Sequence, residues 1–161
     1  GHGKNHSSLS KWDQRLPPHM FGATFELLIQ VAMRCGYSQD DLDVMRMMVA
    51  ECAYPMLNLN GDLVQTQGVM PSGVALTVIK NGLDNSISQR CHFFRDAQVY
   101  RDGELIQASD PRVYFSDYVR SANYGDDFMA GVSERVVGFD HLTYRDFLAE
   151  GGMILTMPEK E

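Results

Sequence analysis

Residues 121–132 read SANYGDDFMAGV. The stretch predicts strand, tight turn and strand, with Asp126 and Asp127 at the tip. Glycine and aspartate favour turns by themselves: Gly supplies positive φ, and Asp bonds its own backbone. Two adjacent acids between apolar strands also suit a second use, the holding of a metal ion. The rest of the chain has to separate these readings.

A chain of 161 residues is one domain or a piece of one. Hydrophobic residues make up 44%, enough for a core, and ten Met favour adaptable packing. The formal net charge of −7 argues against the chain gripping nucleic acid alone, because neutralising phosphates takes Lys and Arg. It leaves room for an acidic, metal-binding centre whose basic walls lie elsewhere. Cys35, Cys52 and Cys91 form an odd set without metal-ligand spacing, which points to a reducing intracellular compartment. No apolar run reaches about 18 residues and no signal-peptide pattern occurs, so no transmembrane segment is expected. There is no internal repeat and no low-complexity segment.

The first twelve residues are polar and predict an irregular start or a truncated strand. A helix follows over 17–36, with Phe21, Phe25, Leu28 and Ala32 on one face and Gly36 as its stop. A second helix is expected over 38–55. Ser38 caps it, Asp41 completes an acidic capping box, Leu42, Met45 and Val49 form the buried stripe, and Pro55 marks the end. Asn60-Gly61 predicts a hairpin. Residues 71–94 run from a loop into a long helix with Gly82 in its middle. Asp102-Gly103 marks a hairpin or an irregular insert. Residues 114–132 contain the strand pair, 139–152 a helix with a glycine stop, and 153–157 a last strand. Helices mixed with hairpins, without regular βαβ alternation, predict an α+β fold with helices against an antiparallel sheet.

In GVMPSGVALTVIKN (68–81), Gly73, Thr77 and Asn81 recur every fourth residue. On a helix they line one face, with Ser72 at its start. Ser72 alone reads equally well as an N-cap. A cap does not account for the aligned Thr77 and Asn81.

Pro71-Ser72-Gly73, Thr77 and Asn81 resemble motif B of the RNA-dependent RNA polymerases of positive-strand RNA viruses, with a picornavirus-like flavour. Tyr124-Gly125-Asp126-Asp127 resembles their motif C. LSKWDQRLPP (9–18) resembles motif A from its middle onward, and FLAEGGMILTMPEKE (147–161) resembles motif D. Four motifs in the family's order span nearly the whole chain. The resemblance implies that residues 1–161 are a partial palm domain, a small antiparallel sheet backed by helices, with most of the fingers and all of the thumb elsewhere in the same polyprotein. It implies template-directed RNA synthesis with two Mg²⁺ or Mn²⁺ ions. Asp126 would be the main metal ligand, Asp127 the secondary one, and Tyr124 would pack below the turn. Asn81 with Asp13, and Ser72 or Thr77, would read the ribose 2′-hydroxyl. Gly73 would let its loop move as the template advances. Lys160 would protonate the pyrophosphate leaving group; by itself it reads as a terminal lysine. The implied partners are RNA template and primer and ribonucleoside triphosphates, and the implied location is a replication complex in the host cytoplasm.

The pattern breaks in motif A. The family carries two acids there, about five positions apart. Asp13 matches the second, and Ser8 stands where the first belongs. No Asp or Glu occurs in residues 1–12, and His2 and His6 are poor substitutes because Mg²⁺ prefers oxygen. Either the chain is a natural variant or pseudo-polymerase, or its first residues are not authentic. By itself Asp13 reads as a surface acid beside Lys11 and Arg15. Two expectations follow: an RNA polymerase palm impaired by Ser8, or a catalytically inactive palm fragment that serves as a folding or interaction module. Reverse transcriptase, which shares a Tyr-x-Asp-Asp turn, is disfavoured by Gly125 and by the Ser-Gly-x3-Thr-x3-Asn helix.

Overall fold

The computed structural model describes residues 3–10, 18–66 and 77–156. In chain order these form β1 (Gly3–Ser10), α1 (Pro18–Arg34), α2 (Gln39–Ala53), β2 (Met56–Leu59), β3 (Asp62–Gln65), α3 (Thr77–Asp96), β4 (Gln98–Arg101) and β5 (Glu104–Gln107). They continue with α4 (Phe115–Tyr118), β6 (Val119–Tyr124), β7 (Asp127–Val132), β8 (Val136–Val137), α5 (His141–Glu150) and β9 (Ile154–Thr156).

Sequence chemistry sets the boundaries. Ser38 accepts from the Asp41 N–H while Asp41 accepts from the Ser38 N–H, so the acidic capping box forms as expected. Gly36 ends α1 at φ 88°, a left-handed conformation that glycine adopts without strain. Asn60-Gly61 (φ 55° and 102°) and Asp102-Gly103 (φ 51° and 85°) each place two positive φ values between paired strands, the type I′ pattern. Asp140 caps α5 by accepting from the Leu142 and Thr143 N–H groups.

The largest sheet has the order β6-β7-β1-β9, antiparallel at every step. β1 and β6 therefore run parallel with β7 inserted between them, a split βαβ arrangement whose crossover carries α1, α2 and α3. A two-stranded sheet (β2-β3) and a three-stranded one (β5-β4-β8) flank it. The fold is α+β, as expected.

One face of the four-stranded sheet is covered. Phe128 and Leu155 meet Phe21 of α1 and Tyr144 and Leu148 of α5. Val119 and Ala130 meet Phe93 of α3, together with Phe115, Tyr118 and Phe139. Ile29, Ala32 and Leu42 lock α1 on α2. Along β6, Val119, Ser121 and Asn123 turn inward, while Arg120, Ala122 and Tyr124 are exposed.

Three elements differ from the expectation. Residues 3–10 form a full strand in the middle of the sheet. Residues 115–118 form a single helical turn instead of strand, because that turn puts Phe115 and Tyr118, three apart, into one cluster. β8, two residues long, is too short to carry a period.

His92 of α3 is 1% exposed, its ring 5.0 Å from Phe139, 5.6 Å from Tyr144 and 5.2 Å from Phe147. Burial holds its pKa below the usual 6.5; Asp96, Asp140 and Glu150 oppose the shift and Arg95 adds to it. The fold thus accepts the neutral ring, whereas the unfolded chain takes up a proton near pH 6.5. The stability from this group is fully present above about pH 6.5 and is lost as pH falls from there through the folded pKa. Denaturant midpoints measured between about pH 7.5 and 5 are expected to fall on acidification, and His92→Leu should flatten that slope. An unchanged slope would reassign it to other groups.

Candidate active site

The β6–β7 hairpin closes with Gly125-Asp126 between the paired residues Tyr124 and Asp127. Gly125 has φ 62°, and Asp126 is not in the positive-φ region, the pattern of a type II′ turn with glycine first. A side chain at Gly125 would be strained there. The turn holds Asp126 half-buried and Asp127 exposed. Among the described residues neither carboxylate has an ion-pair or hydrogen-bond partner, and no group of three or more His, Cys, Asp or Glu stands together. Two adjacent unpaired carboxylates are hard oxygen donors, and that donor chemistry fits Mg²⁺ or Mn²⁺. Any third acid would have to come from outside the described residues.

Tyr124 does not pack below the turn. It is 75% exposed, because strand alternation assigns the inward position to Asn123 and the open face to Tyr124.

Two neighbours approach the turn. The first is β1, whose register sets Ser8 directly across from Asp127 on one side and Thr156 of β9 on the other. Directly opposed residues in an antiparallel pair have Cα atoms about 4.5–5.5 Å apart. The second is α3. A Cβ placed on Gly82 would lie 3.6 Å from the Asn123 carbonyl oxygen and 3.7 Å from the Gly125 nitrogen. The mid-helix glycine thus lets the helix backbone approach the turn closely. Asn81, the next residue, is 9% exposed, and its Oδ1 has no partner among the described residues. Thr77 is half-buried, one helical turn earlier at the start of α3. Asn81 thus stands next in sequence to the glycine that lies against residues 123 and 125 of the turn. Asp13, Ser72, Gly73 and Lys160 lie outside the described residues.

Sequence reasoning missed the rest of the inner face of α3. Asn85 and Gln89 continue the four-residue repeat of Thr77 and Asn81, and both are buried. Gln89 Nε2 donates to Asn85 Oδ1 at 3.1 Å and to Asn123 Oδ1 at 2.8 Å, and Tyr144 Oη donates to Asn85 Oδ1 at 3.2 Å. A neighbouring file holds a buried ion pair: Lys80 Nζ and Thr24 Oγ1 both donate to Asp84, and the Lys80 ammonium sits 4.3 Å from the Phe21 ring centroid. Desolvation is the leading influence on both charges, pushing the Lys80 pKa down and the Asp84 pKa up, while their mutual attraction opposes it. An unbroken run of polar residues at spacing four, 77-81-85-89, was the available signal; on an exposed helix it would mean solvent.

Residues 9–161 match a family described as viral RNA-dependent RNA polymerase. The RNA1 polyprotein of Cherry rasp leaf virus (isolate Potato/United States) is 33% identical over 115 residues, which is 70% of this chain and 5% of that polyprotein. The Sicinivirus 3Dpol RNA-dependent RNA polymerase superposes with a TM-score of 0.70 at 18% identity, over 99% of this chain and 30% of that one. The chain thus spans a small part of the proteins it resembles, and the second likeness is one of fold.

The contact at Gly82 is testable by side-chain size. Gly82→Ala places its methyl group at ordinary van der Waals distance and removes a helix-weakening glycine, so stability is expected to hold or rise by up to about 1 kcal/mol. Gly82→Leu drives further carbons into the turn and should cost about 1–3 kcal/mol. Thermal unfolding of both variants checks the order; equal midpoints would mean that α3 does not press on the turn.

Proposed function

This chain belongs to the viral RNA-dependent RNA polymerase family, and we propose that it supplies the catalytic palm of an enzyme that copies RNA templates with ribonucleoside triphosphates. One observation carries this reading: Asp126 and Asp127 stand, unpaired among the described residues, on a tight turn that lies against Gly82, the residue after the buried Asn81. A pair of divalent ions, Mg²⁺ or Mn²⁺, would supply the positive charge that activates the primer hydroxyl and stabilises the departing pyrophosphate. Asp126 is the main ligand and Asp127 the second. The hairpin holds both carboxylates rigidly and leaves them open to substrate. Asn81, with Asp13 and either Ser72 or Thr77, recognises the ribose 2′-hydroxyl, the group that separates ribonucleotides from deoxyribonucleotides. The unpartnered Oδ1 of Asn81 is free to accept that hydrogen bond. Gly73 gives the preceding loop its freedom, and Lys160 donates a proton to the leaving group. Template and primer lie against basic surfaces of the fingers and thumb, which the net charge of −7 leaves to other parts of the polymerase. The working location is a replication complex in the host cytoplasm.

Ser8 supports a second reading, an inactive palm that acts as a folding or interaction module. The register sets Ser8 opposite Asp127, where an acid would join the carboxylate pair. Serine offers one neutral oxygen. Losing a charged ligand there costs several kcal/mol, roughly 10³-fold or more in rate.

Both readings meet in one assay, primer extension on an RNA template with Mg²⁺ in a complete polymerase carrying this segment. The segment as written is expected to be inactive or nearly so, and Ser8→Asp is expected to raise incorporation by orders of magnitude. Equal rates would mean that another residue supplies the ligand. In the Ser8→Asp background, Asp126→Ala is expected to abolish nucleotide addition while leaving the unfolding midpoint within about 1 kcal/mol of the parent. An active Asp126→Ala enzyme would remove that residue from the metal site, and an inactive Ser8→Asp parent would favour the module.

A further inference from the structure

The carboxylates of a two-residue turn stand wherever the strands beneath them stand. Apolar packing positions a strand loosely along its length, because dispersion contacts have no direction. A hydrogen bond fixes distance and angle together. Among the described residues the side-chain hydrogen bond from α3 to β6 is that of Gln89 to Asn123, at 2.8 Å. Asn123 immediately precedes Tyr124 and is paired with Phe128, so it flanks the turn at its base. Gln89 is 1% exposed and is itself braced, since its amide also donates to Asn85, which holds Tyr144 of α5. Gln89 lies seven residues after Gly82, two helical turns along the same face. Beyond the apolar contact of Phe93 with Val119, helix α3 meets the turn end of β6 at Gly82, where backbone approaches the turn, and at Gln89, where a directional bond sets the register between helix and strand.

We infer that Gln89 and Asn123 are positioning residues for the catalytic turn, a clamp that fixes where Asp126 and Asp127 stand relative to α3 and Asn81. Its catalytic consequence rests on the polymerase reading above; its effect on the order of the turn does not. A purely stabilising bond behaves differently from a positioning one. Removing one partner leaves a buried polar group unpaired, whereas replacing both with apolar groups of similar shape is close to neutral for stability. The double variant Gln89→Leu/Asn123→Leu thus separates the two roles.

Amide hydrogen exchange at residues 125–127 of this chain, measured alongside thermal unfolding, is the first test. Each single variant is expected to lower the midpoint. The double variant is expected to recover most of it and yet to exchange at the turn about threefold to tenfold faster than the parent, the worth of one net hydrogen bond. Turn exchange at the parental rate in the double variant overturns the clamp, whatever the midpoint does. Primer extension in the complete Ser8→Asp polymerase is the second test. There the double variant is expected to lose roughly tenfold to a hundredfold in kcat, the cost of misplacing a reacting group, with KM for the nucleotide nearly unchanged. Faster exchange with an unchanged kcat would keep the clamp and sever it from catalysis. An inactive parent with faster turn exchange in its double variant would instead count against the polymerase reading.

Discussion

Helix α3 buries a face that is largely polar, and three of its buried side chains are hydrogen-bonded to the elements packed around it. Lys80, Asn81, Asp84, Asn85, Gln89 and His92 are all at most 9% exposed. Burying an amide or a charge is costly unless a hydrogen bond compensates it. Three directional bonds tie α3 to its neighbours. Asp84 is tied to α1 because Thr24 donates to it, beside Lys80 of its own helix. Asn85 requires α5, through Tyr144. Gln89 requires β6, through Asn123. The hydrophobic clusters fill the spaces left between these bonds and supply the bulk of the stability.

The Lys80–Asp84 pair shows the same trade. Desolvating two charges offsets much of their attraction, so an apolar pair of equal volume would leave the fold as stable or more so. The pair gives direction instead. Thr24 and the Phe21 ring face the two charges from α1, and an apolar substitute would let the helices slide. Two bonded helices on one side of the sheet and a bonded strand end make α3 a fixed reference against which the turn is set.

The parts of this fold that were legible in the sequence are those governed by local chemistry. Capping at Ser38, the turns at Asn60-Gly61 and Asp102-Gly103, the stop at Gly36 and the stripe of α1 depend on residues within one turn or hairpin. The register of β1 on β7 depends on residues more than a hundred positions apart, and no local pattern in GKNHSSLS announces a central strand. Tyr124 was misread for a related reason: the inward positions of β6 were fixed by Val119, Ser121 and Asn123 meeting α3, which strand periodicity alone leaves open by one residue. The hairpin that carries Asp126 and Asp127 was legible because glycine and aspartate at a strand tip follow local turn chemistry. The amides behind them were not, because a polar file on a helix predicts solvent unless the neighbouring elements are known.

Asp126 and Asp127 differ from the acids that carry structural bonds in this fold. Asp84 is held by two donors, Asp140 caps a helix, Asp110 is forked by Arg112, and Asp41 closes a capping box. Each of those carboxylates has a structural employment among the described residues, and removing it would be felt in stability. The turn acids have none. Adjacent like charges at one tip repel each other, and a neutral Asn-Gly or Gly-Asn turn would close the same hairpin without that repulsion. Their placement thus works mildly against folding, while the surrounding framework holds them firmly: a left-handed glycine, a helix glycine against the turn, and Asn123 bonded at its base. Those supports fix the backbone of a turn whose two acids carry no structural bond among the described residues. The same framework forms with Ser8, and not an acid, paired opposite Asp127 in the β1–β7 register.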